Sequence, residues 1–183
     1  TATEYVPHEL TSYKSIMKVS DVCQLLDKSK YPATRTNNGI TFTNNGDGSF
    51  TVDGTISRGL AVLTVAQISN LIVRHKYYSP LSKYKNGVYV ETKIDRNNAN
   101  TIWQSGVIHE WAENETTMYI SLLVDSSSAN TVENAILVPQ LFDLTEMFGA
   151  GNEPKTVAEF KAKFPNDYYP YSPSCFVTSF DER

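Results

Sequence analysis

The sequence predicts a mainly β protein: a jelly-roll-type antiparallel β-sandwich with a short N-terminal helix and a short C-terminal helix. From Asn37 onward, short segments rich in Val, Ile, Tyr, Thr and Trp alternate with polar turn sequences such as RNNAN, AENE and DSSSAN. About eight such segments, spaced by roughly ten residues, are typical of sandwiches and barrels. A chain of 183 residues is long enough to enclose one sizeable core.

The N-terminal helix is predicted over Ser15–Lys28, because apolar residues recur there at three- and four-residue spacing and Pro32 prevents its continuation. These apolar residues are Ile16, Val19, Cys23 and Leu26. Since a polar linker follows the helix, residues 1–36 are assigned to an N-terminal arm and residues 37–183 to the sandwich domain. Two interpretations stay open: the helix packs on its own domain, or the arm docks on a partner.

The strands begin with a predicted hairpin, in which Ile40–Thr43 and Ser49–Asp53 are joined by the turn NNGDG, whose residues tolerate positive φ. Alternation from Val88 to Asp95 predicts one buried and one solvent-facing side, and the more apolar TMYISLLV predicts a central strand that is buried on both sides. The remaining strands are predicted at Leu60–Val65, Leu71–Tyr78, Gly87–Ile94, Thr101–His109, Thr117–Val124 and Val132–Leu141.

The C-terminal helix is predicted after Leu144. Thr156 and Glu159 have the spacing of a capping box, and Pro165 ends the pattern. Its apolar face is formed by Val157, Phe160 and Phe164. Because this apolar stripe is narrow, we expect the helix to cover an end of the sandwich.

Charge and composition argue against several classes of partner. Lys and Arg number 16 against 20 Asp and Glu, and no basic cluster interrupts this balance, so nucleic acid is not expected as a partner. No apolar run approaches the roughly 20 residues that span a bilayer, so membrane insertion is not expected either. The start TATEYVPHEL lacks the features of a signal peptide, and synthesis in the cytoplasm without secretion is expected. For Cys23 and Cys175, two free thiols are favoured over a disulfide.

The sequence predicts no catalytic residue, metal centre or cofactor. His8, His75 and His109 lack the spacing of metal ligands. A loop with three carboxylates beside Trp111 could supply the acid and nucleophile of a glycosidase, but a solvated turn is the favoured interpretation. The carboxylates of this loop are Glu110, Glu113 and Glu115.

Calcium is an alternative that the turns suggest. Asn45, Asp47 and Asp53, together with Asp125–Asn130, could supply oxygen ligands near loop ends. Asn and Asp are also the residues that tight turns require. Ca²⁺ therefore remains a weaker alternative to a protein without a cofactor.

Aromatic side chains give the best candidates for a binding site. Rings on or beside predicted strands can stack on sugar rings while turn amides and carboxylates bind the hydroxyls, although core packing is the competing explanation for each ring. Trp111 and Tyr84 lie in polar loops, where exposure is expected. The candidate glycan-binding residues are Trp111, Tyr84, Trp103 and Tyr89.

Three segments carry a family resemblance. LFDLTEMFGAGNEPKTVAEFKAKFPNDYYPY, which begins at Leu141, resembles the "DLT-MFGAGNEP" signature of jelly-roll, carbohydrate-binding-module-like domains in tail and other virion proteins of phages that infect Gram-positive bacteria. The hairpin sequence NNGITFTNNGDGSFTVDGT resembles one common in phage virion proteins, and HKYY at His75–Tyr78 resembles the strand that often follows it. The resemblance extends from about Leu25 to Tyr171.

The resemblance implies a bacteriophage virion structural protein, such as a tail fibre or head decoration, located on the virion and active in adhesion to host or mucosal glycans. Its implied partners are other virion proteins and these glycans. A homo-oligomer such as a trimer is expected, because virion appendages are often trimers, although no heptad repeat specifies one. A purely structural decoration or tail assembly protein without glycan binding, and an enzyme acting on polysaccharide, are the alternatives.

Overall fold

The protein is mainly β in a computed structural model that describes residues 22–84, 87–97, 99–166 and 169–171. The described strands are β1 (Arg35–Asn37), β2 (Ile40–Asn44), β3 (Phe50–Ile56), β4 (Gly59–Ile68), β5 (Lys76–Tyr78), β6 (Val88–Arg96), β7 (Ala99–Trp103), β8 (Ile108–Glu110), β9 (Glu115–Ser126), β10 (Asn130–Leu137) and β11 (Phe142–Asp143). A 3-10 turn covers Lys28–Lys30, the DLT helix covers Leu144–Phe148 and the C-terminal helix covers Val157–Lys163. No helix of the described residues is long and apolar enough to cross a membrane.

Two four-stranded antiparallel sheets form a β-sandwich around the main core. The first sheet has the order β1-β2-β3-β10 and the second has the order β4-β9-β6-β7. Side chains from both sheets meet in one buried cluster, including Phe42 and Val52 from the first and Val90 and Leu122 from the second. A third sheet, β11-β5-β8, lies beside them. The predicted mainly β class is confirmed in this form.

The predicted alternation in the second sheet is confirmed. Along β6, Val88, Val90, Thr92 and Ile94 are buried, while the side chains that alternate with them are half-buried. The strand predicted to be central is β9, which lies between β4 and β6. Leu122 and Leu123 are both buried there, although they point to opposite faces. Alternation therefore predicted the two faces of β6, and higher apolar content predicted the central strand.

The predicted hairpin is also confirmed, as β2 and β3 pair from Ile40 to Asn44. In its turn, Asp47 Oδ1 accepts hydrogen bonds from the amide and hydroxyl of Ser49, at 2.8 and 2.7 Å. Farther along, Gly54 has φ +127°, and a Cβ at this position would collide with the carbonyl oxygen of Gly39. The two backbones approach so closely that only glycine fits.

Several predicted strands are shorter than expected. The segment predicted at 71–78 forms a strand only over Lys76–Tyr78, because Arg74 adopts φ +69° and the Ile72 amide donates to the Tyr77 hydroxyl at 2.9 Å. The segment predicted at 101–109 divides into β7 and β8, because Gly106 turns the chain with φ +74°. The last predicted strand ends at Leu137, before a proline that cannot donate to a ladder.

The predicted N-terminal helix is wrong over its described part. Residues 1–21 lie outside the described residues, and residues 22–27 are not helical. Gln24 forms a β-bridge with Phe142, and the Leu25 amide donates to the Leu141 carbonyl at 2.7 Å. Leu25 and Leu26 are buried in the main core. Their apolar side chains are covered better by the sandwich than by an isolated helix, so the described part of the expected arm packs on the domain.

The expectation of two free thiols is also wrong. Cys23 is 3% exposed and is disulfide-bonded. Cys175, the other cysteine of the chain, lies outside the described residues.

The DLT helix is fixed to the third sheet by its own first residues. The Asp143 carboxylate accepts a hydrogen bond from the Glu146 amide at 2.9 Å, which caps the helix, and its other oxygen lies 2.9 Å from His75 Nδ1. The Thr145 hydroxyl accepts from the Lys76 amide at 2.9 Å. These bonds connect two segments that are distant in sequence.

The GAGNEP segment closes the same end of the molecule. Thr145 Oγ1 donates to Glu153 Oε1 at 2.8 Å, and Glu153 Oε2 accepts from the Gly151 amide at 2.9 Å. The C-terminal helix then begins at Val157, and the hydroxyl of its capping residue Thr156 accepts from the Glu159 amide at 3.2 Å. Phe160 is buried beneath it. The predicted C-terminal helix and its cap are confirmed.

Candidate functional site

The outer face of the second sheet, defined as the solvent-facing side chains of β4, β6, β7 and β9, carries a row of aromatic and polar residues. Lys93 pairs directly with Trp103 on one side and with Tyr119 on the other. Gln67 follows next to Tyr119 on β4. Trp103 is 59% exposed, while its neighbour Ile102 packs against the core. Directly paired side chains share a face at close range, so these four groups form one surface.

Lys93 is held in the middle of this row. Its ammonium lies 4.8 Å from the centroid of the Tyr119 ring and 3.2 Å from Asp95 Oδ1. The hydroxyl of Thr101 donates to the same Asp95 oxygen at 2.9 Å. This hydrogen bond, with the nearby Lys93 charge, holds the pKa of the Asp95 carboxyl below its ordinary value. The face thus presents a fixed charge pair between two rings.

Tyr89 and Glu91 extend the outer face along β6, where both side chains are half-buried. Burial raises the pKa of the Glu91 carboxyl, with Lys93 opposing the effect and Asp125 adding to it. Burial likewise raises the pKa of the Tyr89 hydroxyl, and the Glu91 charge contributes. Tyr89 therefore remains a hydrogen-bond donor across the neutral range.

The spacing of the two best-placed rings suits an extended ligand. Trp103 and Tyr119 lie on strands separated by β6, which places them about 10 Å apart at two inter-strand distances. Between and beside them are a cation, carboxylates, a phenol and the Gln67 amide. Such a surface can stack on apolar ring faces and bind hydroxyl groups at the same time.

No protein-family model, curated protein or solved structure matches the chain. The outer face is therefore interpreted from its own geometry.

Of the predicted glycan-binding residues, two lie on the outer face. These are Trp103 and Tyr89. Tyr84 is 43% exposed and lies at the edge of β6, where its amide donates to the Val88 carbonyl at 2.7 Å. The structure brings Tyr84 and Tyr89 into one neighbourhood through an isolated bridge between Lys83 and Tyr89.

The expectation that Trp111 is exposed is wrong. Trp111 is 2% exposed and contacts Tyr77 and His109 edge to face, with ring centroids 6.5 Å away in each case. Its amide donates to the His75 carbonyl at 2.9 Å. The polar sequence around Trp111 suggested a solvated loop, but neighbouring strands cover the ring, so it offers no face to a ligand.

The loop that contains Trp111 differs from a solvated turn in a second respect. The Glu115 side chain is fully buried, and both of its oxygens accept hydrogen bonds. One oxygen binds Arg96 Nη2 at 3.0 Å, and the other binds His109 Nε2 at 2.7 Å and the Ala112 amide at 2.9 Å. Glu110 and Glu113 are exposed as expected. The three carboxylates therefore do not form one cluster.

The residues considered for calcium binding serve the turns in which they lie. Asn45 Nδ2 donates to the hydroxyls of Ser49 and Thr51, at 2.9 and 3.1 Å. Asp53 Oδ2 accepts from the Asn134 amide at 3.2 Å. Within the part of the chain that the structure describes, no group of three or more His, Cys, Asp or Glu residues is arranged to hold a metal ion. Calcium binding stays a prediction.

Sequence reasoning missed the polar members of the outer face. Lys93 and Glu91 belong to a strand whose alternation was recognised, yet nothing in the sequence revealed which side chains lie across from them. The sequence supplied only part of the information needed to find this surface, since it placed Trp103, Tyr119 and Lys93 on predicted strands but did not pair them. Pairing register, which depends on the whole sheet, brings them together.

Proposed function

We propose that this chain is a bacteriophage virion surface protein whose sandwich, with jelly-roll topology, adheres to host or mucosal carbohydrate through the outer face of the second sheet. The observation that carries the proposal is the exposed Trp103 in register with Lys93 and Tyr119. The resemblance of the DLTEMFGAGNEP segment to phage virion proteins supports the location on the virion.

The chemistry of the outer face supports carbohydrate as the ligand. A pyranose ring has an apolar face that stacks on indole or phenol and hydroxyls at its edge that bind charged and amide groups. Trp103 supplies the exposed ring, and Asp95 and Lys93 supply an acceptor and a donor beside it. A ligand with at least two sugar rings would contact both Trp103 and Tyr119.

The decisive variant is Trp103→Ala. Glycan-array screening would identify a ligand, and calorimetric titration should show binding weakened about tenfold, because an aromatic contact contributes roughly 1.5 kcal/mol. Ile136→Ala is the matched control, since Ile136 is 51% exposed on the first sheet. A panel of host and mucosal glycans that yields no ligand, or a ligand that binds both variants equally, would contradict the proposal.

The second candidate is a structural decoration protein without glycan binding. Exposed Trp103 would then be buried against a capsid protein or another copy in a homo-oligomer such as a trimer. In that case Trp103→Ala would reduce the number of copies of this protein on purified particles, and the wild-type protein would bind no glycan on the array. The enzymatic alternative gains no support from Glu115, because both of its oxygens are bound within the chain.

Attachment to the particle is assigned to the N-terminal arm. Leu25 and Leu26 belong to the main core, so a truncation that tests attachment must stop before Val22. Deleting residues 1–21 should leave a folded domain, by circular dichroism, that no longer decorates particles. Decoration by the truncated protein would refute the role of the arm without bearing on glycan recognition.

A further inference from the structure

A cleft with a volume of about 290 Å³ lies between the segment Pro80–Lys83 and the C-terminal helix. Aromatic side chains form much of its wall: Tyr78, Phe142, Phe160, Phe164 and Tyr169. Trp103, Lys93 and Tyr119 do not line it, so it is separate from the outer face.

Tyr78 is the unusual member of this wall. It is 2% exposed, and its ring packs against Phe142 and Phe160 with centroid distances of 6.3 and 5.0 Å. Its hydroxyl forms no hydrogen bond with any of the described residues, whereas the equally buried Tyr77 hydroxyl accepts from the Ile72 amide. The Tyr78 hydroxyl is not among the fully enclosed unpaired side-chain atoms of the described residues, which are Ser79 Oγ and Thr92 Oγ1, so it is accessible from the cleft that its residue lines. It can therefore donate to an acceptor atom on a molecule in the cleft.

The described residues of the cleft carry charge of one sign. Among them, Lys83 and Lys161 line the cleft and no Asp or Glu does. Both lysines are exposed, and neither forms an ion pair with a described residue. Two ammonium groups without an ion-pair partner among the described residues, beside an aromatic wall, favour a ligand with an apolar body and a negative head.

We propose that this cleft binds a small amphiphilic anion, in which an aromatic or short acyl body packs against Phe142 and Phe160 and a carboxylate faces Lys83 and Lys161. An oxygen of the ligand accepts the hydrogen bond that the Tyr78 hydroxyl lacks. The volume of about 290 Å³ limits the ligand to a few carbon atoms beyond one ring.

Three probes with the same body and different heads test the proposal on the full chain: phenylacetate, 2-phenylethanol and phenethylamine. Calorimetric or NMR titration should rank the carboxylate first, ahead of the neutral alcohol by about two- to fivefold for each lysine engaged, with the amine last. Equal affinity for the three probes, or no binding of any, would overturn the proposal.

Substitutions then locate the binding. Lys83→Gln combined with Lys161→Gln should abolish the preference for phenylacetate. Lys163→Gln should preserve it, because Lys163 lies over the Phe148 ring at 4.9 Å and does not line the cleft. Tyr78→Phe keeps the ring and should weaken phenylacetate binding about fivefold. If the double lysine variant keeps the full preference, the anion binds elsewhere and the assignment to this cleft is wrong.

Discussion

Replacing Glu115 with glutamine should destabilise the protein by about 3 kcal/mol, since removal of one partner from a buried ion pair costs roughly 3 to 5 kcal/mol. The Glu115 side chain is 0% exposed, and its oxygens accept from Arg96, His109 and the Ala112 amide at 2.7 to 3.2 Å. The lower end of the range applies because the Arg96 side chain is 28% exposed and keeps part of its hydration when the carboxylate charge is lost.

Urea denaturation at neutral pH measures this difference directly. For a protein of this size, 3 kcal/mol should also lower the Tm by about 6 to 12 °C. Glu113→Gln is the matched control, because Glu113 lies two residues away in the same loop and is exposed; it should change stability by less than about 0.5 kcal/mol. If the two variants have equal stabilities, Glu115 does not hold the loop as described.

The effect should also depend on pH. Burial raises the pKa of Glu115, but hydrogen bonds from Ala112, His109 and Arg96 outweigh burial, and the pKa lies below its ordinary value. A lowered pKa contributes stability that is present above the ordinary pKa and is lost as pH falls through the value in the folded state. The difference between wild type and Glu115→Gln should therefore be full at neutral pH and shrink below about pH 4.5. A difference that grows on acidification would contradict this assignment.

Three further changes test the fold. Gly54→Ala should lower the free energy of unfolding by about 1 to 3 kcal/mol more than Gly46→Ala does. Both glycines have positive φ, but only at Gly54 would the new Cβ collide with backbone, that of Gly39. Equal losses in urea denaturation would show that the backbone at Gly39 moves away freely. Thr145→Val should cost about 2 kcal/mol, since its hydroxyl makes two hydrogen bonds, whereas exposed Thr43→Val should have little effect. Dithiothreitol should lower the Tm, because reduction of the Cys23 disulfide removes a covalent restraint on the unfolded chain. An unchanged Tm with the thiol fully alkylated would exclude that contribution.

The sequence was most informative where the structure depends on local geometry. Alternation along Val88–Asp95 predicted β6 and its two faces, because side-chain direction in a strand follows from position alone. The hairpin and the cap at Thr156 were predictable for the same reason. The segment from Val22 to Leu26 was not, because helical spacing of apolar residues also suits an extended segment that pairs with a distant strand, and here Gln24 pairs with Phe142.

The candidate site was predictable only in its aromatic residues. Trp103 and Tyr89 were recognisable because large aromatic rings on predicted strands can stack on a ligand when they lie on the solvent-facing side. Trp111 was misplaced because its burial depends on Tyr77 and His109, which other parts of the chain bring to it. Lys93 was missed because a single lysine on a strand indicates only a solvent-facing position. Its place between Trp103 and Tyr119 depends on the pairing register of the sheet.

The position of β9 in the second sheet has a consequence for hydrogen exchange. This strand is paired on both edges and is buried on both faces from Ile120 to Val124, so the amides of Ile120 and Leu122 should exchange with deuterium only when the whole domain opens. β7 is shorter and lies at the edge of the sheet, where local opening is easier. The two rings of the outer face therefore belong to parts of the sheet with different stability: Tyr119 is a fixed reference, whereas Trp103 can adjust as a ligand arrives.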